Sequence, residues 1–228
     1  EMSAPAVCDK LVEAIKSDKY DVIIIGAGPS GIFCAYELMR QKPDMKVLMI
    51  EKGRSIEKRQ CPKRTTKVCV GCKPCSITTG FAGAGAFSDG KLSLSPDVGG
   101  TLPEILGYEK AEELIKEADN IYLKFGADEK VYGIDDYDAI ERIRAKAIRA
   151  NLKLIECPIR HLGTEEGYKI YTRLQEHLLA SGVEIKFMTM VQDIIIEDGV
   201  AKGVVTDKEE TYYADEIVSG IGREGSSW

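Results

Sequence analysis

Two short apolar runs separated by a helical pattern predict how the chain begins. Residues 21–25 and 46–50 are nearly continuous aliphatic runs, as expected for strands buried on both faces of a parallel sheet. Between them, residues 29–41 place apolar side chains at helical spacing and open with a proline, which suits the first position of a helix. The order and the length of these elements predict a βαβ unit.

The remaining pattern predicts an α/β fold with a helical insertion and a late β-meander. A short helix is expected over residues 9–17, and longer helices over 109–124, 136–150 and 164–181. Asp198-Gly199 is a strong hairpin signal. Strands are expected over 152–156, 183–187, 191–196, 200–206, 210–213 and 217–219.

Composition and charge exclude several classes of function. The 228 residues carry a net charge of −6 without a dense basic tract, which argues against a nucleic-acid partner. The longest apolar run is far too short to span a bilayer, and residues 1–20 lack the continuous apolar stretch of a signal peptide. We therefore expect a cytoplasmic protein with neither a membrane nor a nucleic acid as partner. The sequence shows no nucleophile–base pattern that would support a hydrolase.

A glycine motif between the first predicted strand and helix predicts a nucleotide site. Gly26 would permit a tight turn, Gly28 would let the backbone approach a pyrophosphate, and Gly31 would let helix and strand pack closely. Pro29 and Ser30 lie at the predicted helix N-terminus, whose N–H groups favour phosphates. Glu51 follows at the spacing expected of an acid that binds ribose hydroxyls. The alternative, an ordinary glycine turn, explains neither the acid nor both strands.

The motif together with later residues resembles the two-dinucleotide-binding-domain flavoproteins of the glutathione reductase type. This resemblance implies an FAD/NAD(P)-binding Rossmann-like fold with FAD as the cofactor. It implies that Lys52 and Arg59 belong to the cofactor site, that Val191 contacts the adenine through its backbone, and that Gly220 and Gly222 pass near the same cofactor.

A glycine-rich loop resembles a narrower family of largely uncharacterised FAD-dependent dehydrogenases. The similar residues run from Cys61 through Cys69, Cys72 and Cys75 to Gly80–Lys91, and include residues 161–164 and 220–225. Small residues in the glycine loop would let the backbone lie against a flavin, which adds Gly83, Ala84, Gly85 and Ala86 to the cofactor-binding candidates. A cation near the flavin would stabilise its reduced form, which makes Lys91 a weak catalytic candidate, with a solvated loop lysine as the alternative. Members of that family are about twice as long and end in a further FAD-binding motif, so the chain is expected to be truncated at its C-terminus. Thiazole-biosynthesis enzymes share only the opening of the chain.

Four cysteines crowd into fifteen residues and predict a metal or redox site. Cys61, Cys69, Cys72 and Cys75 have a spacing that suits an iron–sulfur cluster. Four thiolates could equally hold structural zinc, and two of them could form a redox dithiol. A reduced loop without metal is the remaining alternative.

These observations predict an FAD-dependent oxidoreductase, a dehydrogenase acting on a small molecule. NAD(P)H is a candidate electron donor. The alternatives are a non-catalytic FAD-binding or electron-transfer module and a thiazole-biosynthesis-like enzyme. The expected domains are 1–100 for the FAD-binding βαβ unit with the cysteine- and glycine-rich loops, 101–150 for the helical insertion, and 151–228 for the continuation of the FAD-binding domain.

Overall fold

The computed structural model describes residues 19–225, which form two compact units. Unit 1 comprises residues up to Ala84 and from Leu174 onward, and unit 2 comprises Gly85–Arg173. The helix expected over residues 9–17 lies outside the described residues.

Unit 1 is built on a six-stranded sheet. Its strands are β1 (Tyr20–Ile25), β2 (Val47–Glu51), β6 (Glu184–Phe187), β7 (Val191–Glu197), β8 (Val200–Thr206) and β9 (Thr211–Ser219), in the order β6-β2-β1-β9-β8-β7. The first four strands of that order are parallel, and β9, β8 and β7 form an antiparallel meander. The α/β class and the Rossmann-like sheet with a meander are confirmed. The two strands predicted over 210–213 and 217–219 are one strand, since β9 pairs with β8 through its first half and with β1 through its second.

Alternate side chains of the buried strands face opposite layers. On one face Ile23 and Ile25 of β1 join Leu48 and Ile50 of β2 in a buried cluster with residues of the meander. On the other side, helix α1 (Pro29–Gln41) contacts both strands and buries the face that carries Ile32, Ala35, Tyr36 and Met39. The continuous apolar runs in the sequence follow from this burial on both faces. A short helix, α2 (Lys63–Thr66), follows β2 in the chain.

Unit 2 combines three helices with a small antiparallel sheet. The helices are α3 (Leu102–Leu106), α4 (Tyr108–Lys124) and α5 (Tyr137–Arg149), and the strands are β3 (Lys91–Ser93), β4 (Val131–Tyr132) and β5 (Ile159–His161), in the order β3-β5-β4. Helix α6 (Thr164–Ala180) starts in this unit. The predicted insertion at 101–150 thus contains the three helices, while the compact unit around them is wider.

The strand predicted over 152–156 is wrong. Leu152 and Ile155 are exposed and belong to no strand, and the pairing segment starts at Ile159. The reason is long-range: β5 forms where its backbone meets β3 and β4, and a local apolar run cannot reveal that register.

A buried ion pair stabilises unit 2. The Arg160 guanidinium binds the Asp119 carboxylate through two hydrogen bonds, with Nε–Oδ1 at 2.5 Å and Nη2–Oδ2 at 2.8 Å. Both side chains are largely buried, at 5% and 12% exposure. The pair joins β5 to α4 across 41 positions of sequence. Hydrogen bonding to Asp119 raises the pKa of Arg160, so the guanidinium is charged at neutral pH.

Candidate functional site

A cavity of about 580 Å³ opens in unit 1 at the carboxyl ends of the central parallel strands. Gly26 and Gly28 follow β1, Glu51 ends β2, and Gly220 follows β9. Strand β1 lies between β2 and β9, so the chain order reverses there. Open α/β sheets bind their ligands at this kind of switch point. The volume falls in the range typical of cofactor and small-molecule sites.

The cavity gathers most of the residues that the sequence singled out. Its wall includes Gly26, Gly28, Pro29, Ser30, Glu51, Lys52, Gly83, Ala84, Val191, Gly220 and Gly222. Gly31 and Arg59 lie outside this wall, and Gly85 and Ala86 belong to unit 2. Elements far apart in sequence thus meet around one cavity.

Glycine stands at each of the three motif positions for a different physical reason. Gly26 has a φ of +97°, and a Cβ there would lie 2.9 Å from the Gly220 carbonyl oxygen. A Cβ on Gly31 would lie 2.0 Å from the Gly26 carbonyl oxygen, which no side chain can tolerate. Gly28 has an ordinary φ of −74°, and the nearest protein atom to a Cβ there is 4.0 Å away. The protein itself therefore requires glycine at 26 and 31, and at 28 only an occupant of the cavity would.

The N-terminus of helix α1 faces the cavity without a side-chain cap. Gly28 occupies the N-cap position, Pro29 follows it, and no side chain forms a capping hydrogen bond there. The first turn carries no acidic residue. A helix of 13 residues that begins in this way offers backbone N–H groups and the positive end of its dipole to an anion.

Glu51 is buried and holds two turns together. Its Oε2 accepts a hydrogen bond from the Ala27 N–H at 2.8 Å, and its Oε1 accepts one from the Gly53 N–H at 2.8 Å. Each carboxylate oxygen can accept more than one hydrogen bond, so the group can still receive ribose hydroxyls. The acid thus shapes the cavity floor as well as lining it.

Arg59 does not line the cavity. Its side chain is 2% exposed and its guanidinium donates to backbone carbonyls of the segment 76–83. Residues 78–80 of that segment form a wall that the sequence did not predict. The other unpredicted wall residues are Ile25 and Ile50, which precede Gly26 and Glu51, Thr189 and Met190, which precede Val191, and Ile221 and Gly225, which follow Gly220. Only their closeness in sequence to a predicted contact could have indicated that these residues line the cavity.

The four cysteines are free thiols in this structure. Cys69 and Cys75 are exposed, and Cys61 and Cys72 are half-buried. Within residues 19–225, no three Cys, His, Asp or Glu side chains come together in an arrangement that could hold a metal ion. The preassembled four-cysteine centre expected from the spacing is therefore not seen. Spacing brings thiols near one another along the chain, whereas the path of the loop decides whether they meet, and here two of the four are exposed to solvent.

Cys75 is the cysteine whose surroundings alter its chemistry. Hydrogen bonds from the backbone N–H groups of Thr78 and Ile77, and from the Thr78 side chain, lower the pKa of its thiol, and the Arg59 guanidinium acts in the same direction. A lower pKa favours the reactive thiolate. The group lies three residues before the cavity wall begins at Thr78.

Lys91, the weak catalytic candidate, lies on β3 in unit 2. It is exposed, stands opposite His161 in the sheet register, and places its Nζ 3.4 Å from the Asp89 carboxylate. An ion pair between two exposed side chains accounts for its position.

In the described part of the chain, no helix is both long and apolar enough to cross a bilayer.

Comparison with known proteins finds two family matches and one curated relative. Residues 5–57 match the Thi4 family, and residues 139–227 match the pyridine nucleotide-disulphide oxidoreductase family. Thiamine thiazole synthase of Coprinopsis cinerea is 52% identical over 33 residues, which is 14% of this chain and 10% of that protein. The Thi4 match falls on the opening βαβ unit, which flavoproteins and thiazole-biosynthesis enzymes share, so it does not favour the latter.

Solved structures agree on the fold. Glycine oxidase from Bacillus cereus has a TM-score of 0.50 and 18% identity, over 88% of this chain and 55% of its own. A 3-ketosteroid dehydrogenase from Rhodococcus jostii has a TM-score of 0.52 and 18% identity, over 88% of this chain and 45% of its own. The chain therefore spans about half the length of these structures and a tenth of the curated relative. The shared architecture shows that the chain has the Rossmann-like α/β fold of these two structures, and the two family models match its residues 5–57 and 139–227.

Proposed function

We propose that unit 1 binds FAD in the cavity at the carboxyl ends of β1, β2 and β9, and that the chain is the FAD-binding part of an oxidoreductase. The observation that carries this proposal is Gly28. Its backbone conformation suits any residue, and a Cβ there would meet no protein atom closer than 4.0 Å. A glycine with no steric reason inside the protein, at an uncapped helix N-terminus, fits a diphosphate lying against the backbone.

The residues of the cavity suit the separate parts of FAD. The backbone at Gly28 and the first turn of α1, with Ser30, would receive the diphosphate. Glu51 would accept hydrogen bonds from the adenosine ribose, and the backbone at Val191 would contact the adenine. Gly220 and Gly222 would let the β9 turn approach the cofactor closely.

Bound FAD would supply the electron or hydride transfer, and the protein would supply binding, orientation and exclusion of water. The match of residues 139–227 to the pyridine nucleotide-disulphide oxidoreductase family supports a redox role and NAD(P)H as a candidate electron donor. The substrate would be a small molecule. A metal or iron–sulfur centre at the four cysteines stays a prediction from their spacing.

Two measurements test the proposal. Titration of the purified chain with FAD, followed by flavin fluorescence and visible absorption, should show saturable binding with one FAD per chain. Steady-state assays with NADH or NADPH and an artificial electron acceptor should then show flavin-dependent turnover. Saturable binding without turnover would favour the electron-transfer module, and absence of binding would refute the proposal.

A further inference from the structure

The segment 76–83 is folded around one buried guanidinium. Arg59 Nε donates to the Ser76 carbonyl at 3.0 Å and Nη2 to the Ile77 carbonyl at 2.6 Å. Nη1 donates to the Phe81 carbonyl at 2.5 Å and to the Gly83 carbonyl at 2.7 Å. A single planar group therefore holds both ends of the segment.

This segment supplies one wall of the proposed FAD cavity. Thr78, Thr79, Gly80 and Gly83 line it, and Arg59 does not. Apart from one isolated bridge between Gly80 and Arg54, residues 76–82 belong to no helix or strand. Backbone N–H groups of the segment do bond to other residues, Phe81 to the Arg54 carbonyl and Ala82 to the Ala27 carbonyl. The carbonyl groups at 76, 77, 81 and 83 are the ones that Arg59 fixes.

The site is shaped to admit this side chain. A Cβ on Gly80 would lie 2.7 Å from Arg59 Cδ and 3.0 Å from Arg59 Nε, so the absence of a side chain at Gly80 makes room for the arginine stem. Burial lowers the pKa of the guanidinium to about 10, and the charge of Glu51 opposes that shift. The group is therefore a cation at neutral pH, and its hydrogen bonds are charge-assisted.

We propose that Arg59 is a positioning residue of the flavin site, whose guanidinium fixes the segment 76–83 as a cavity wall without touching the cofactor. This differs from the role that the sequence resemblance implied, a direct contact with FAD. The proposal rests on the proposed function of unit 1. It requires the forked geometry of arginine, because one lysine ammonium cannot reach four carbonyl groups spread over eight residues.

Matched variants separate geometry from charge. Arg59→Lys keeps the positive charge but loses the forked guanidinium. Arg59→Met keeps a side chain of similar length but loses both the charge and the forked donor group. Far-UV circular dichroism identifies the folded variants, hydrogen exchange reports on the amides of 76–83, and fluorescence titration gives the FAD dissociation constant. We expect both variants to exchange faster in this segment and to bind FAD about tenfold more weakly or worse, the equivalent of one disturbed buried hydrogen bond.

Two results would overturn the proposal. If Arg59→Lys binds FAD as tightly as wild type, charge alone matters. If either variant loses FAD affinity while the exchange of 76–83 is unchanged, Arg59 contacts the cofactor directly.

A third variant, Arg59→Ala, permits chemical rescue: added guanidinium should restore slow exchange and FAD affinity, and methylammonium should not. Equal rescue by guanidinium and methylammonium would also contradict the claim that the forked geometry of arginine is required.

Failure of the proposed function is a separate outcome. If the wild-type chain itself does not bind FAD, the FAD assignment falls. The exchange measurements on the same variants without FAD would then still decide whether Arg59 fixes the segment, and unchanged exchange would overturn that as well.

Discussion

Substitution of Gly28 should remove FAD binding while leaving the fold intact. A Cβ at this position meets no protein atom within 4.0 Å and needs no unusual backbone conformation, since φ is −74°. Alanine is a poorer N-cap than glycine by roughly 0.5–1 kcal/mol. The smaller entropy of the unfolded chain offsets about 0.4–1 kcal/mol of this. The free energy of unfolding of the Gly28→Ala chain should therefore stay within about 1 kcal/mol of wild type.

The same side chain would project into the space proposed for the diphosphate. Gly28→Ala should weaken FAD binding at least about tenfold, or roughly 1.4 kcal/mol, and the branched Gly28→Val should abolish it. Gly31 provides the matched control, because its Cβ would lie 2.0 Å from the Gly26 carbonyl oxygen. Gly31→Ala should destabilise the protein by about 1–3 kcal/mol through backbone displacement, whether or not FAD is present.

Urea unfolding followed by circular dichroism gives the stabilities, and fluorescence titration gives the FAD affinities. We expect the two positions to differ in their effects: Gly28 variants lose FAD affinity, and Gly31 variants lose stability. Gly28→Val protein that still binds one FAD per chain at wild-type affinity would refute the placement of the cofactor. Gly28→Ala protein that unfolds as readily as Gly31→Ala would refute the claim that the protein tolerates a side chain there.

Three further expectations concern other positions. Glu51→Ala should cost roughly 1–3 kcal/mol of unfolding free energy for each of the two backbone N–H groups that it leaves unpaired, measured by urea unfolding without FAD, and Glu51→Gln should cost less. The lowered pKa of Cys75 keeps its thiolate present to lower pH, so alkylation by iodoacetamide should stay fast as pH falls, and Thr78→Val should move that profile to higher pH; overlapping profiles would contradict this. Asp119→Ala should destabilise unit 2 by about 3–5 kcal/mol because it leaves the Arg160 charge buried, and Asp119→Leu combined with Arg160→Met should recover most of that loss in thermal unfolding.

The opening βαβ unit could be predicted from the sequence because its signals are local. Burial on both faces leaves a continuous apolar run in each strand, and helix α1 shows its periodicity and its proline without reference to any distant residue. The Asp198-Gly199 turn is equally local, and its two positive φ angles of 51° and 76° fit a tight hairpin between β7 and β8. Gly31 and Glu51 could also be predicted from local sequence, because their partners lie within one short supersecondary unit.

Other features were decided only when distant segments met. Arg59 was a site candidate from the sequence, yet its partners at 76–83 depend on the path of an irregular loop, which no periodicity encodes. The cysteine spacing allowed a shared centre, and the loop backbone alone determined that three thiols do not come together in the described residues. The three-stranded sheet of unit 2 joins strands of two or three residues, too short to leave a pattern of their own.

Neighbouring residues define three parts of the site, which could therefore be predicted: the glycine turn, the helix start and the acid that ends β2. Which of those parts share a cavity, and what closes it, depends on long-range contacts. Gly220 reaches Gly26 through the pairing of β9 with β1, across almost the whole chain. The physical reason is that steric demands and helical or strand periodicity act over a few residues, whereas a cavity wall depends on contacts between residues whose separation in sequence carries no such signal.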